Sequence, residues 1–453
     1  METKRKSKIK KKSKRIEDFS IQYPDSAGID IGDTEMAVAV SADKCELNVR
    51  TYPTFTRYLN EIVAFLKEYG VTHVAMEATG VYWINLYVLL QKEGFTVILA
   101  NPKHIKNITG RKKDEDDAMW IQRLQTYGLI KGSFQPDWPT RELRELMRHR
   151  ERLIRDRVKC TLRTLKALEL MNIKVQTVIS DIDGKTGRDI VKAILGGERD
   201  AKKLAALADT RIKATQEELI LSLEGNWNDQ QLFIMKQQND FYDFCTKQVN
   251  ELDLKIEEQL KVLIASKNEG ELPPINLKCE RKQANPKNKL PFNATAYLNT
   301  LLGTNLTAIP TINEVTALTF ISETGPDMTK WESSKNFKAW LNVVPLTKES
   351  GGKILSAKIQ KKNNRAGRAL LMGAGAARHI QGPEGDFYRR HQFKGGPKKA
   401  RYATAENNAT AIYHMILRQQ PYMPAKLIEN QEKQRQRQIQ KLEKTLAKLK
   451  AAA

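Results

Sequence analysis

Only four cysteines occur in 453 residues, at Cys45, Cys160, Cys245 and Cys279. None stands at the paired spacing of a zinc site, and four scattered thiols do not build a disulfide framework, so a reducing compartment is expected. No run of about 18 apolar residues is present, and no membrane-spanning helix is expected. Met1–Arg15 carries nine Lys or Arg with no apolar stretch after them, so a secretory signal is not expected there. The six histidines show no metal-ligand spacing and read as surface or core polar residues. Acidic residues are outnumbered, 53 to 76, which leaves a net charge of +23 and a pI of about 9.6. That excess bears on partners rather than on fold, and nucleic acid is the commonest polyanion for such a protein. Acidic membranes and ribosomes are the alternatives.

Hydrophobic residues make up 40% of the chain, enough for cores, and the length fits two to four domains. Residues 1–20 read as a basic arm, either a nucleic-acid contact or a solubilising tail. In residues 21–135, short β-like runs at Gly28–Ile31, Met36–Val40 and Glu46–Tyr52 precede a helix marked by Phe55, Tyr58, Leu59, Ile62, Val63 and Leu66, with Thr54 as N-cap. Val71–Met76 and Phe95–Ala100 read as strands, with helices at Val81–Glu93 and from Asp114 to Tyr127. The order β-β-β-α-β-α-β-α describes a ribonuclease-H-like α/β fold. A Rossmann fold would need a helix after the first strand and a glycine-rich turn, and neither is present.

Residues 136–265 change character. Leu143, Leu146, Leu153, Val158, Leu162 and Leu165 mark a long helix that also carries Arg141, Arg144, Arg148, Arg150, Arg152, Arg155, Arg157 and Arg163. Further helices are expected near Gly187–Leu195, Ala201–Ala208, Thr215–Leu223 and Gln230–Ile264, the long ones pairing as an antiparallel coiled coil. The arginines suit a solvated face, a phosphate backbone or a partner protomer. Residues 266–295 read as a linker or insertion, and 296–420 as a mostly helical domain with a short hairpin near Val343–Ile359. Residues 421–453 read as a charged helical tail in which Ile439, Leu442, Leu446 and Leu449 give only a short apolar repeat.

The acids of the first domain form a pattern. Asp30 sits in an apolar strand, where alternation turns it away from Ile29 and Ile31. Glu77 follows a strand, and Asp114 and Asp117 stand three apart at a helix start, hence on one face. In a ribonuclease-H-like fold the first and fourth strands are neighbours and the last helix crosses their ends, so the four carboxylates converge. Convergent carboxylates repel unless protonated or bridged by a cation, and oxygen-only ligands suit Mg²⁺, with Mn²⁺ as the alternative. Two such ions clamp the attacking and leaving oxygens of a phosphoryl transfer. Asp33, Glu35, Glu115 and Asp116 are nearby acids that the pattern does not need.

Gly28-Ile29-Asp30, Met76-Glu77-Ala78-Thr79-Gly80, Asn101-Pro102 and Lys112-Lys113-Asp114-Glu115-Asp116-Asp117-Ala118 resemble the RuvC-like DEDD transposases of the insertion-sequence-110 family. The resemblance continues at Val178-Ile179-Ser180-Asp181, at Ile309-Pro310 through Glu323-Thr324-Gly325, and at Ser350-Gly351-Gly352-Lys353. It implies a RuvC-like domain with the acids and a C-terminal transposase domain whose serine nucleophile corresponds to Ser350. It also implies a phosphoserine intermediate, a homo-oligomer (dimer or tetramer) in which Ser350 of one protomer meets the acids of another, and a guide or bridge RNA that pairs with target and donor DNA. The location implied is a bacterial or archaeal cytoplasm, at the nucleoid. Without the resemblance, a serine before Gly-Gly reads as a turn residue as readily as a nucleophile. The expected nucleic-acid contacts are Lys112, Lys113, Arg148, Arg152, Arg155, Lys353, Lys358, Lys361, Lys362, Arg365 and Arg368, with Tyr388-Arg389-Arg390 and Lys394 through Arg401 as a further DNA- or RNA-facing loop. Residues 309–317 resemble a helix-hairpin-helix turn, but Thr311 and Asn313 replace its glycines, which puts phosphate binding by that turn in doubt. Two other functions fit the residues less fully: a RuvC-like endonuclease with Ser350 structural, and a nonenzymatic RNA-binding protein, against which all four acids count.

Overall fold

The computed structural model describes residues 19–41, 43, 48–108, 116–278 and 288–424, with scattered positions from 429 to 443. The expected basic arm up to residue 18 lies outside the described residues, as do Lys112, Lys113, Asp114, Cys45, Cys279, Leu446 and Leu449. The chain divides into two compact units, Met1–Gln135 and Pro136–Ala453.

The first unit is built on a five-stranded sheet. β1 (Ser26–Ile31), β2 (Glu35–Ala39) and β3 (Val49–Pro53) pair antiparallel, as strands joined by short turns must. Helix α1 (Thr56–Glu68) then returns the chain so that β4 (His73–Glu77) lies parallel to β1, and α2 (Trp83–Lys92) does the same for β5 (Thr96–Ala100) beside β4. The strand order is β3-β2-β1-β4-β5. Alternation along β1 separates two faces. Ala27, Ile29 and Ile31 join Val74 and Met76 in a core closed by Ile62 and Leu66 of α1 and Leu86 and Leu90 of α2. Ser26, Gly28 and Asp30 point to the opposite face, where α4 (Asp117–Thr126) lies across the sheet. Trp120, Ile121 and Leu124 of α4 pack there on Ala75 and Ala100.

Two local expectations change. Phe55, not Thr54, occupies the N-cap of α1; the Thr54 hydroxyl instead donates to the Asp33 carbonyl at 3.0 Å and ties the end of β3 to the β1–β2 turn. Pro102 begins an element absent from the expected order. It opens a short helix α3 (Pro102–Lys106), in which the Asn101 carbonyl accepts from His104 and Ile105, because Pro is suited to the first helical position.

In the second unit α5 (Trp138–Leu170) and α9 (Asp229–Lys267) run antiparallel, as the contacts of Gln259 with Pro139, Asp253 with Arg150 and Gln238 with Arg163 require. Between them α6 (Lys185–Leu195), α7 (Ala201–Ala205) and α8 (Gln216–Leu223) enclose a separate core that includes Leu168, Ile190, Leu204, Leu223 and Met235. The chain continues through α10 (Ala294–Leu302), α11 (Glu314–Thr324), α12 (Ser334–Leu341), the hairpin β6 (Leu346–Ser350) and β7 (Lys353–Lys358), α13 (Arg365–Gly375) and α14 (Pro383–Arg418). Phe337 is fully buried among Phe320, Trp331, Trp340 and Tyr413, which joins α11, α12 and α14. In the segment resembling a helix-hairpin-helix no residue takes a positive φ. Asn313 caps α11 by accepting from the Thr316 N–H at 2.8 Å, and the Thr311 hydroxyl accepts from Asn408 at 2.6 Å.

The arginines of α5 divide sharply. Arg150 is 2% exposed and pairs with Asp253 of α9, itself 1% exposed, while donating to the Asn288 carbonyl at 3.1 Å. Arg157 donates to the Asn288 side chain and lies over the Tyr242 ring. Arg152 and Arg155 are exposed. Removing one partner of a buried ion pair leaves the other charge uncompensated, at about 3–5 kcal/mol, whereas a surface change stays within about 0.5 kcal/mol. Asp253→Ala is therefore expected to lower the melting temperature by many degrees and Arg152→Ala by almost none. Equal melting of the two variants would show that Arg150 does not depend on Asp253.

Candidate active site

Gly28 decides how the acids meet. A Cβ there would stand 2.2 Å from the Ala118 carbonyl oxygen and 2.2 Å from the Gln122 nitrogen, so only a glycine lets α4 rest on β1. The Ser26 and Thr126 hydroxyls lie 2.8 Å apart, which fixes α4 antiparallel to β1: its C-terminal end sits over the start of the strand. The first residue of α4, Asp117, is thereby carried toward the end of β1, where Asp30 lies. Glu77 ends β4, the parallel neighbour of β1. Asp30, Glu77 and Asp117 line one cleft of about 220 Å³, with Lys106 and the apolar walls of Ile105, Ile108 and Trp120.

The electrostatics follow from that placement. Partial burial pushes the Glu77 carboxyl above the usual carboxylate range, the charges of Asp30 and Asp117 push it further, and Lys106 opposes them. Among the described residues no three His, Cys, Asp or Glu stand close enough to ligate one ion. The cleft thus gathers three carboxylates without a finished coordination sphere. An all-oxygen set that raises the pKa of its own member fits a hard divalent cation, which relieves the repulsion. Asp114, the fourth acid of the pattern, lies outside the described residues. Lys106 is missing from the sequence expectations; its signal is Asn101-Pro102, since Pro suits the first position of the helix that carries Lys106 to the cleft.

Ser350 stands elsewhere in the chain, as the last residue of β6. It pairs with Lys353 across Gly351 and Gly352, whose φ angles are +57° and +74°. A two-residue turn with both central φ positive matches the twist of a hairpin and selects glycine. A Cβ on either glycine would meet nothing within 4 Å, so the approach to Ser350 is open. Every residue of β6 is exposed, and Lys348, Lys353 and Lys358 are exposed around it. The stem is anchored: the Asn342 side chain donates to the Gln360 and Lys362 carbonyls at 3.0 and 3.1 Å, and Asn364 to the Trp340 carbonyl at 2.9 Å. Beside the stem, Lys361, Lys362, Arg368 and Tyr402 line a cleft of about 460 Å³.

The other expected contacts fall into two groups. Arg148 is bidentate to Glu323 of α11 at 2.8 and 2.7 Å, and Arg365 and Arg368 pair with Glu151 of α5. These charges join α5 to α11 and α13. Arg152, Arg155, Lys353, Lys358, Lys361 and Lys362 remain exposed.

Two family models of known proteins match separate stretches of the chain. A family model described as a transposase, the DEDD type of the IS110 family, matches residues 27–173, which include the carboxylate cleft. A second, described as the transposase IS116/IS110/IS902 family, matches residues 303–389, which include the Ser350 hairpin. The class is thus a DNA transposase, an enzyme that cuts and rejoins DNA. With the two matches covering just over half of the 453 residues, the chain belongs to the IS110 family of transposases. The DEDD match also implies dependence on a divalent metal. A search of curated proteins found no match.

A carboxyl whose folded pKa lies above its unfolded value destabilises the fold once both states are ionised. Relative to the ionised state, stability is full below the unfolded pKa and falls as pH rises through the folded one. Glu77→Gln removes the charge, so at neutral pH without divalent ions this variant is expected to melt at or above the wild-type temperature. Added Mn²⁺ should raise the wild-type melting temperature and leave the variant's unmoved. A variant that melts well below wild type in metal-free buffer would contradict the strained cleft.

Proposed function

We propose that this transposase cuts DNA with Ser350 as nucleophile and with Asp30, Glu77, Asp114 and Asp117 as ligands for Mg²⁺ or Mn²⁺. The observation that carries the reading is the shared cleft of Asp30, Glu77 and Asp117. The strand order β3-β2-β1-β4-β5, with α4 crossing β1, supports a RuvC-like, ribonuclease-H-like fold. Divalent cations held there would neutralise phosphate charge and favour ionisation of the attacking hydroxyl. The Ser350 oxygen bonds to a DNA phosphorus as the bond from that phosphorus to a sugar oxygen breaks. The serine loses its proton and the leaving oxygen gains one, so the phosphodiester energy is kept as a serine phosphodiester. Attack by a second sugar hydroxyl reverses the exchange and rejoins the strand. Lys348 and Lys353 beside Ser350 attract the phosphate, and the glycine turn lets it come close. The expected arrangement is an oligomer in which Ser350 of one protomer serves the carboxylates of another.

Sequence choice on this reading belongs to a bridge RNA paired with target and donor DNA, while exposed cations, among them Arg152, Arg155, Lys358, Lys361 and Lys362, hold backbones. One observation favours a second reading. Ser350 is the strand residue that flanks a two-residue turn, a position that serine also takes for structural reasons, and a metal-dependent endonuclease would need no serine.

Ser350→Ala is expected to abolish strand exchange and the covalent protein–DNA adduct seen on denaturing gels. Wild-type recombination by that variant would contradict the serine mechanism, whereas metal-dependent cleavage without any adduct or strand exchange, by variant and wild type alike, is the endonuclease outcome. Recombination that persists after thorough ribonuclease treatment would remove the guide RNA.

A further inference from the structure

The second family match ends at residue 389, and a few residues later α14 breaks. Gly395 (φ −162°, ψ 16°) and Gly396 (φ 79°, ψ 172°) leave helical geometry, and Pro397 opens the next helical stretch. Residues 387–405 contain Arg389, Arg390, Lys394, Lys398, Lys399 and Arg401, and no acid. Arg389 is held by Asp386 and by the Ile380 carbonyl. Lys394, Lys398, Lys399 and Arg401 are exposed.

Among these cations Phe393 is 94% exposed, the most exposed large apolar side chain among the described residues. The exposure does not come from a loose end. Tyr388 before the break and Ala400 after it pack together with Ala377, and Tyr388 is 2% exposed. Gly385 lies so close to the Ile380 carbonyl that a Cβ would approach it to 1.8 Å. The break is braced from beneath, and Phe393 projects from a fixed base.

A single exposed apolar residue needs no explanation. A flat exposed ring within a stretch of exposed cations that carries no acid, at a braced kink, is a different feature, because its complement must be anionic and present flat apolar surface together. Unpaired nucleotides have both properties: phosphates answer the cations and a base face answers the ring. In a duplex both faces of each base are already stacked. We propose that Phe393 is a stacking platform for an unpaired base of the DNA substrate, with Lys394, Lys398, Lys399 and Arg401 on the flanking phosphates. The inference rests on DNA as the substrate of this family and not on the roles of Ser350 or the carboxylates.

The test uses the full chain and an oligothymidylate of about 20 nucleotides with one central 2-aminopurine. Wild type is expected to bind and change the 2-aminopurine fluorescence. Phe393→Ala should weaken binding about tenfold and abolish that change, with the salt dependence unaltered because no charge is lost. Phe393→Trp should retain both signals, and Phe393→Leu, apolar but without a π face, should behave like Phe393→Ala. Changing Lys398 and Lys399 together to Ala should lower the slope of log affinity against log salt by about 1.4. Each variant is expected to melt with wild type, since Phe393 packs in no core. Wild-type DNA binding by Phe393→Ala or Phe393→Leu overturns the proposal, and so does a loss confined to the matching oligoribonucleotide, which would assign the platform to RNA. Ser350→Ala leaves this binding intact, so the two proposals fail separately.

Discussion

In the first unit a helix rests on a residue with no side chain. α4 lies on β1 at Gly28 with no room for a methyl group, and the position of Asp117 relative to Asp30 depends on that contact. The strand pairing of β1 with β4 sets Asp30 and Glu77 side by side; the helix contact adds the third carboxylate. Overpacking a well-packed site costs about 1–3 kcal/mol even where side chains can adjust. Here the obstacles are backbone atoms, which have no rotamer to change. The geometry of the carboxylate cleft and the stability of the fold are therefore tied to one position, whose neighbour two residues on is itself a ligand candidate. The repulsion felt by Glu77 is the other side of the arrangement: the unit holds together although its cleft gathers like charges.

Charge has a second use in the Pro136–Ala453 unit. A chain with a net charge of +23 invites the reading that its arginines meet phosphate. Several of those on α5 instead meet carboxylates of this chain: Arg148 with Glu323 and Arg150 with Asp253, while Glu151 receives Arg365 and Arg368 from α13. These pairs join segments more than a hundred residues apart in sequence. The cations left on the surface, including those about the Ser350 hairpin and the α14 kink, are the ones free to face a polyanion.

Much of this was legible in the sequence because periodicity reports burial. The alternation of Ile29 and Ile31 about Asp30 predicted which way that carboxylate points, and tight turns followed by helical crossovers predicted the strand-and-helix order. The adjacency of the first and fourth strands followed from that fold reading and is observed. Partners distant in sequence were not legible. Nothing local to Arg150 announces Asp253, and nothing local to Glu77 announces Lys106. Local ambiguity hid other features: Thr54 bonds backward to Asp33 instead of capping α1, and Asn101-Pro102 starts a helix as well as ending a strand. For Ser350 the hairpin was expected, and the paired positive φ values of Gly351 and Gly352 account for its glycines.

The carboxylate cleft is tested most directly by titrating the full chain with Mn²⁺ and following the free ion by electron paramagnetic resonance, for wild type and for Asp30→Asn. Mn²⁺ is expected to bind wild type, and Asp30→Asn at least tenfold more weakly, while the variant melts at or above the wild-type temperature in metal-free buffer. Equal Mn²⁺ binding by the two proteins would contradict this expectation.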